Sequence, residues 1–154
     1  MVIGHDARHN SRAFAERSAA IMTAAGCRVQ LFDTHQPTPL AAFAVRHLGA
    51  AAGVMVTASH NPPDDNGYKV YLGDGSQIVS PVDAQIAEHI RAVESVASVP
   101  RAESGWLTAT DDVREAYLKA AVSVVDPAGP KQLSVVHTSL HGVGNDLVVQ
   151  AFEQ

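Results

Sequence analysis

One cysteine, Cys27, stands alone in 154 residues. No internal disulfide can form, and no Cys/His spacing resembles a structural zinc site, so a reducing, cytoplasmic setting is the expectation. Charge is sparse as well: charged residues make up 18%, and eleven Lys and Arg face sixteen Asp and Glu, a formal charge of -5. With no dense basic block, the chain lacks what neutralises a phosphate backbone, and nucleic acid is excluded as a partner. Long apolar runs are missing too. The longest, residues 48–56, falls far below the ~20 residues that cross a bilayer, and no basic-then-apolar signal opens the chain. No membrane partner is expected. Eight histidines are present, but they are scattered without regular spacing and give poor evidence for a metal.

What remains is a chain 46% hydrophobic along its whole length, too apolar for disorder and long enough for one domain that buries roughly 70% of its unfolded surface. The pattern along it is α/β. Residues 1–4 read as the end of a strand, and a strand at the first residue suggests missing upstream sequence. A helix follows from Asn10 or Ser11, with Phe14, Ile21, Met22 and Ala25 at near-helical spacing and Gly26 as its stop. Residues 27–32 form a second strand, 40–48 a short helix ending at Gly49, and 50–56 an apolar run that suits a strand buried on both faces. Residues 68–72 and 77–79 flank Gly73-Asp74-Gly75-Ser76 as a hairpin. Ser80 and Pro81 open a helix with Val82, Ile86 and Ile90 on one face. Residues 96–108 are irregular and 111–125 helical, and Asp126-Pro127-Ala128-Gly129-Pro130 breaks the chain. Beyond the break, 133–137 reads as a strand and a helix runs from about Gly144 to Gln154. One strand and one helix cannot close a core, so residues 1–127 form one domain and 131–154 open a second. Gly142-Val143-Gly144 is a strand-to-helix turn rather than a dinucleotide fingerprint, because no third glycine follows.

Behind the buried strand at 50–56 lies Thr57 to Gly67, eleven residues dense in turn formers. Ligands of α/β sheets bind beyond the carboxyl ends of the strands, and Ser59 sits at such an end. A serine hydroxyl becomes a useful nucleophile only beside a base or a cation, and His60, Asp64, Asp65 and Lys69 are close in sequence. Residue types alone leave two readings open. Ser-His-Asn-Pro-Pro is equally a structural turn whose hydroxyl and amide groups bond their own backbone. A serine hydrolase built on Ser59 and His60 is disfavoured, because neighbours on an extended chain point to opposite faces and no Gly-x-Ser-x-Gly elbow occurs.

The string Thr57-Ala58-Ser59-His60-Asn61-Pro62, followed by Asn66-Gly67-Tyr68-Lys69, resembles the active-site signature of the α-D-phosphohexomutases, the phosphoglucomutase/phosphomannomutase family. Gly4-His5-Asp6-Ala7-Arg8 is similar to that family's early Gly-x-Asp-x-Arg loop, and Thr138 to Gly144 resembles the start of its second domain. Residues 68–71 and 75–78 look most like the branch containing phosphoglucomutase-2, phosphopentomutase-like and some bacterial phosphomannomutase proteins. The resemblance implies a three-layer, mixed-sheet α/β domain I with its N-terminal segment missing, plus the first strand and helix of domain II. It also implies a phosphosugar mutase: phospho-Ser59 passes its phosphoryl group to a sugar phosphate, and the bisphosphate intermediate returns one from its other end, between C1 and C6 (or C5). His60 and Lys69 match positions that assist proton transfer or steady the moving phosphoryl, Asn61 helps hold the loop, and Arg8 supports the loop or meets the substrate. Mg²⁺ would sit on the phosphate of Ser59 and on an Asp-x-Asp-x-Asp string, which does not occur in this sequence. A sugar bisphosphate would serve as activator. Lacking those carboxylates, the chain by itself is expected to be inactive, since phosphoryl transfer depends on positioning and charge neutralisation. The alternative is a catalytically inert sugar-phosphate-binding or regulatory remnant.

Overall fold

In the computed structural model, which describes residues 1–130 and 132–154, the chain builds one mixed sheet of five strands. β1 (Val2–His5) lies at its centre, parallel to β2 (Gln30–Leu31) on one side and to β3 (Ala52–Val56) on the other. β4 (Tyr68–Leu72) pairs antiparallel with β3, and β5 (Leu107–Thr108) parallel with β2, giving the order β4-β3-β1-β2-β5. Side chains alternate across a strand, and that alternation sorts the core into two layers. Ile3, Val29, Leu31, Val54 and Val56 face helix α1 (Ser11–Ala24), which meets them with Ala15 and Ala19. Val2, Met55 and Tyr71 face α2 (Thr38–His47), which contributes Leu40, Ala41, Ala44 and Val45. The three-layer α/β expectation is met.

Helix ends follow from the glycines at two of the breaks. Gly26 (φ 82°) sends its N–H to Thr23 O, and Cys27 bonds Met22 O, a paired closure that only a left-handed residue permits cheaply. Gly49 repeats the arrangement after α2, its N–H bonding Arg46 O while Ala50 bonds Val45 O. The buried face of α1 differs from the expected one: Ser11, Ala15 and Ala19 are buried, whereas Phe14 is 36% exposed. Small side chains let the helix lie close to the sheet, so the bulky apolar residues are pushed to its flanks.

Several other elements depart from the sequence reading. Residues 77–79 form no strand; only an isolated bridge joins Tyr71 to Gln77. The short strand β5 lies in a stretch expected to be irregular. α3 (Val82–Arg91) forms just after Ser80 and Pro81, where a helix was expected, but buries none of its residues, and Ile90 is exposed. The strand expected at 133–137 is absent: among the described residues nothing pairs with it, and Leu133 and Val136 are 81% and 99% exposed. An apolar run becomes a strand only when a neighbouring ladder satisfies its backbone. Lys131, with which the expected second segment begins, lies outside the described residues. After it, α5 (Asn145–Glu153) packs on α4 (Asp111–Val122), and Leu147 joins Val113 and Leu118 in the α2-side core. Among the described residues, no helix is long and apolar enough to cross a membrane.

Of the glycines, Gly53 is packed most tightly: an added Cβ would collide with Cγ2 of fully buried Val45 on α2. Overpacking of this kind costs about 1–3 kcal/mol. Gly53→Ala is therefore expected to lower stability by that amount in urea denaturation, and by measurably less in a Val45→Ala background. Equal losses in the two backgrounds would show that the contact does not set the packing.

Candidate active site

The parallel strands β1 and β3 end side by side, and the segments leaving them are tied together at once. Asp6 N–H donates to Val56 O (3.1 Å), and Thr57 N–H donates to Gly67 O (2.9 Å), so the loop from Thr57 to Gly67 returns to its own starting point. A Cβ at Gly67 would lie 2.9 Å from Thr57 O, an unyielding backbone atom, which explains the glycine. At the tip Ser59 takes the left-handed conformation (φ 57°), with its N–H bonded to Thr57 Oγ1 at 2.9 Å. A non-glycine residue held there marks local strain that the surroundings must support.

Arg8 supplies that support. Its Nη1 donates to Pro62 O (2.6 Å) and Asp65 O (3.2 Å), and its Nη2 to Ser59 O (2.9 Å) and Asn61 O (2.6 Å). A planar guanidinium fork thus fills the inside of the loop with donors aimed at four carbonyls. Asp6 holds Arg8 in turn, accepting from its backbone N–H at 3.0 Å and lying 3.5 Å from its Nε, while Ser11 Oγ donates to the same carboxylate at 2.6 Å. Asn66 Nδ2 bonds His9 O (3.0 Å) and Ser11 Oγ (3.1 Å), and Asn61 Nδ2 bonds Asp65 Oδ2 (3.1 Å). Of the two roles left open for Arg8, the fork geometry is that of a loop support.

Ser59 and His60 are exposed on a cleft of about 870 Å³. Arg8 and Asn61 line it as well, as do Gln36 at the entry to α2 and residues 139–144 on the far wall. The left-handed turn at Ser59 overturns the argument that neighbouring side chains must diverge: Ser59 Oγ lies 3.3 Å from His60 Nδ1. Lys69 is not brought to the cleft wall. It sits on β4 opposite Met55, which lines the cleft where Lys69 does not, and among the described residues it makes no hydrogen bond or ion pair. Asp6, Thr57, Asn66 and Gly67 belong to the site on the strength of their contacts. All four had a signal in the sequence, through the motifs in which they stand.

The residues present do not make up a Mg²⁺ site: among those described, no group of three His, Cys, Asp or Glu side chains is placed to hold a metal ion. Ser59 with a phosphate would offer a single arm of such a site, and no step is routed through the ion.

Residues 1–97 match the family model described as phosphoglucomutase/phosphomannomutase, alpha/beta/alpha domain I. The Haemophilus influenzae protein named probable phosphomannomutase is 44% identical over 96% of this chain, and the human phosphopentomutase 35% identical over 99%. The chain spans 31% and 28% of the lengths of those two relatives. A solved phosphoglucomutase/phosphomannomutase family protein from Burkholderia thailandensis has the same fold, with a TM-score of 0.73 at 23% identity over 99% of this chain and 33% of that one.

Replacing the fork while keeping the charge tests the support assigned to Arg8. Arg8→Lys is expected to speed amide exchange at Asn61 and Asp65 at least about tenfold while Val54 and Met55 in β3 stay protected. Unchanged exchange in the loop would remove Arg8 from this role. By motif, model and fold together, the chain belongs to the phosphoglucomutase/phosphomannomutase family.

Proposed function

We propose that the chain is the phosphoserine-bearing part of a phosphosugar mutase, with residues 1–127 as domain I and 131–154 as the beginning of domain II. The observation that carries this reading is Ser59 itself: an exposed hydroxyl on a cleft, held in a left-handed turn by a guanidinium bonded to four carbonyls of its own loop. Such rigidity serves an in-line displacement, in which most of the rate comes from positioning.

In the charging step, Ser59 Oγ attacks the phosphorus of a sugar bisphosphate. The new O–P bond forms as the bond to the sugar oxygen breaks, and the sugar leaves as a monophosphate. His60 Nδ1, 3.3 Å from Oγ, is placed to take the hydroxyl proton and pass it to the departing sugar oxygen, and to carry a proton the opposite way when the phosphoryl group moves on. Lys69 contributes positive charge near the end of β3, and Asn61 keeps the loop closed through Asp65. Mg²⁺ would supply charge neutralisation on the phosphoryl oxygens, and a sugar bisphosphate would prime the serine. The sugar is a hexose or pentose phosphate, in keeping with the range of names among the relatives.

The test grafts residues 1–154 in place of the aligned stretch of the Haemophilus influenzae relative and asks whether a bisphosphate and Mg²⁺ label the chimera. Mass spectrometry is expected to find phosphate on Ser59 and coupled assays to find mutase turnover. Both should be lost in Ser59→Ala, and the 154-residue chain alone should give no turnover. A folded chimera that stays unlabelled would support the inert remnant instead.

A further inference from the structure

Helix α1 opens on a serine that solvent does not reach: Ser11 is 0% exposed. Ser or Asn at a helix start ordinarily turns its side chain back onto the first free N–H groups. Here neither residue does so. Asn10 makes no capping bond, and the Ser11 hydroxyl is engaged elsewhere, 2.6 Å from Asp6 Oδ1 and 3.1 Å from Asn66 Nδ2. The groups themselves fix the direction of each bond. A backbone carbonyl has no proton to give, so the Asn66 atom 3.0 Å from His9 O is the amide nitrogen, and its second N–H is left for Ser11 Oγ. Accepting that bond leaves Ser11 its own O–H for the Asp6 carboxylate, in the short form that a charged acceptor gives. Asp6 accepts the Arg8 N–H at 3.0 Å and lies 3.5 Å from Arg8 Nε, and the far end of Arg8 donates to four carbonyls of the Ser59 loop. Asn66 stands where that same loop returns. The bonds therefore close a ring, from the returning end of the loop through Ser11, Asp6 and Arg8 to its tip.

We infer that Ser11 is a positioning residue for Ser59, its hydroxyl joining Asn66 to Asp6 and so tying the Arg8 fork to both ends of the loop that carries the nucleophile. Ser11 does not line the cleft and acts only through these neighbours. Its hydroxyl is not interchangeable with a methyl group. Alanine fits the space but leaves Asp6 Oδ1 short of a donor and one Asn66 N–H short of an acceptor. A carboxylate held less firmly gives Arg8 more freedom, and a nucleophile displaced slightly loses rate steeply. The effect on rate rests on the phosphosugar reading of the Ser59 site, whereas the effect on the loop does not.

The experiment removes the hydroxyl in Ser11→Ala and takes two readings. In the chain itself, amide exchange at Asn61 and Asp65 is expected to quicken about fivefold, the worth of one hydrogen bond, while Ala15 and Ala19 in α1 and Val54 and Met55 in β3 stay protected. In the chimeric mutase, Ser59 is expected to take up phosphate from a hexose bisphosphate about tenfold more slowly, with the bisphosphate concentration at half-maximal rate within about twofold of the unsubstituted protein. Both losses should shrink to less than about twofold where Arg8 is already lysine, because the link then has no fork to hold. A hydroxyl needed only for the stability of α1 would act equally in the two backgrounds. Ser11→Cys, close in size and a weak hydrogen-bonding group, serves the same cycle if Ser11→Ala fails to fold. Unchanged exchange at Asn61 and Asp65, uptake within about twofold of the unsubstituted chimera, or equal losses with and without Arg8→Lys would each overturn the inference. An unsubstituted chimera that takes up no phosphate is a failure of the mutase reading, and the exchange cycle then decides by itself whether Ser11 holds the loop.

Discussion

The site depends on one guanidinium. Arg8 leaves the end of β1 and donates to the carbonyls of Ser59, Asn61, Pro62 and Asp65, which belong to a loop leaving β3. Loop carbonyls turned inward would otherwise be short of donors, and a left-handed serine would otherwise relax. Because five N–H groups radiate in one plane, Arg can satisfy several acceptors at once where Lys offers a compact point charge. The conformation that exposes Ser59 Oγ is therefore held by a residue more than fifty positions away in sequence.

That reach is possible because of the sheet. β1 and β3 are parallel neighbours in register from Val2 opposite Gly53 to His5 opposite Val56, so their carboxyl ends coincide and the segments that follow them start together. Small residues make the register tight: Gly4 lies under Met55 and Ala41, Gly53 under Val45, and α1 presents alanines to the opposite face. Packing on both faces fixes the two strand ends, the strand ends fix Asp6 and Thr57, and these fix Arg8 and Ser59. From core to hydroxyl the chain of contacts is unbroken, and the chemistry proposed for the cleft draws on its rigidity. His60 then stands at the opening, beside the nucleophile.

Much of this was legible in the residues because it is local. Turn chemistry marked the loop from Thr57 to Gly67, Gly26 and Gly49 marked the helix ends, and the unbroken apolar run before Thr57 marked the buried strand. Two motifs in the right order marked the family. What was hidden depends on distant partners. β5 is two residues long and exists because β2 offers it an edge. The run at 133–137 has strand-like residues but, among the described residues, no ladder to join, so it stays exposed. The buried face of α1 was misjudged because alanines carry little hydrophobic signal, although they determine how near a helix can come. Ser59 and His60 were expected to diverge on the assumption of an extended backbone, which the positive φ at Ser59 removes. Lys69 was placed with the catalytic group by its motif, yet the antiparallel pairing with β3 sets it opposite Met55, short of the cleft wall.

The central claim is that the Arg8 fork, and not the mere presence of a serine, makes the loop competent. It is tested most directly by the rate at which Ser59 takes up phosphate from a hexose bisphosphate when Arg8 is replaced by Lys within the chimeric mutase. The account predicts a fall of about a hundredfold, the usual consequence of misplacing a nucleophile by an ångström, with the core still folded. Uptake within about twofold of the unsubstituted protein would contradict it.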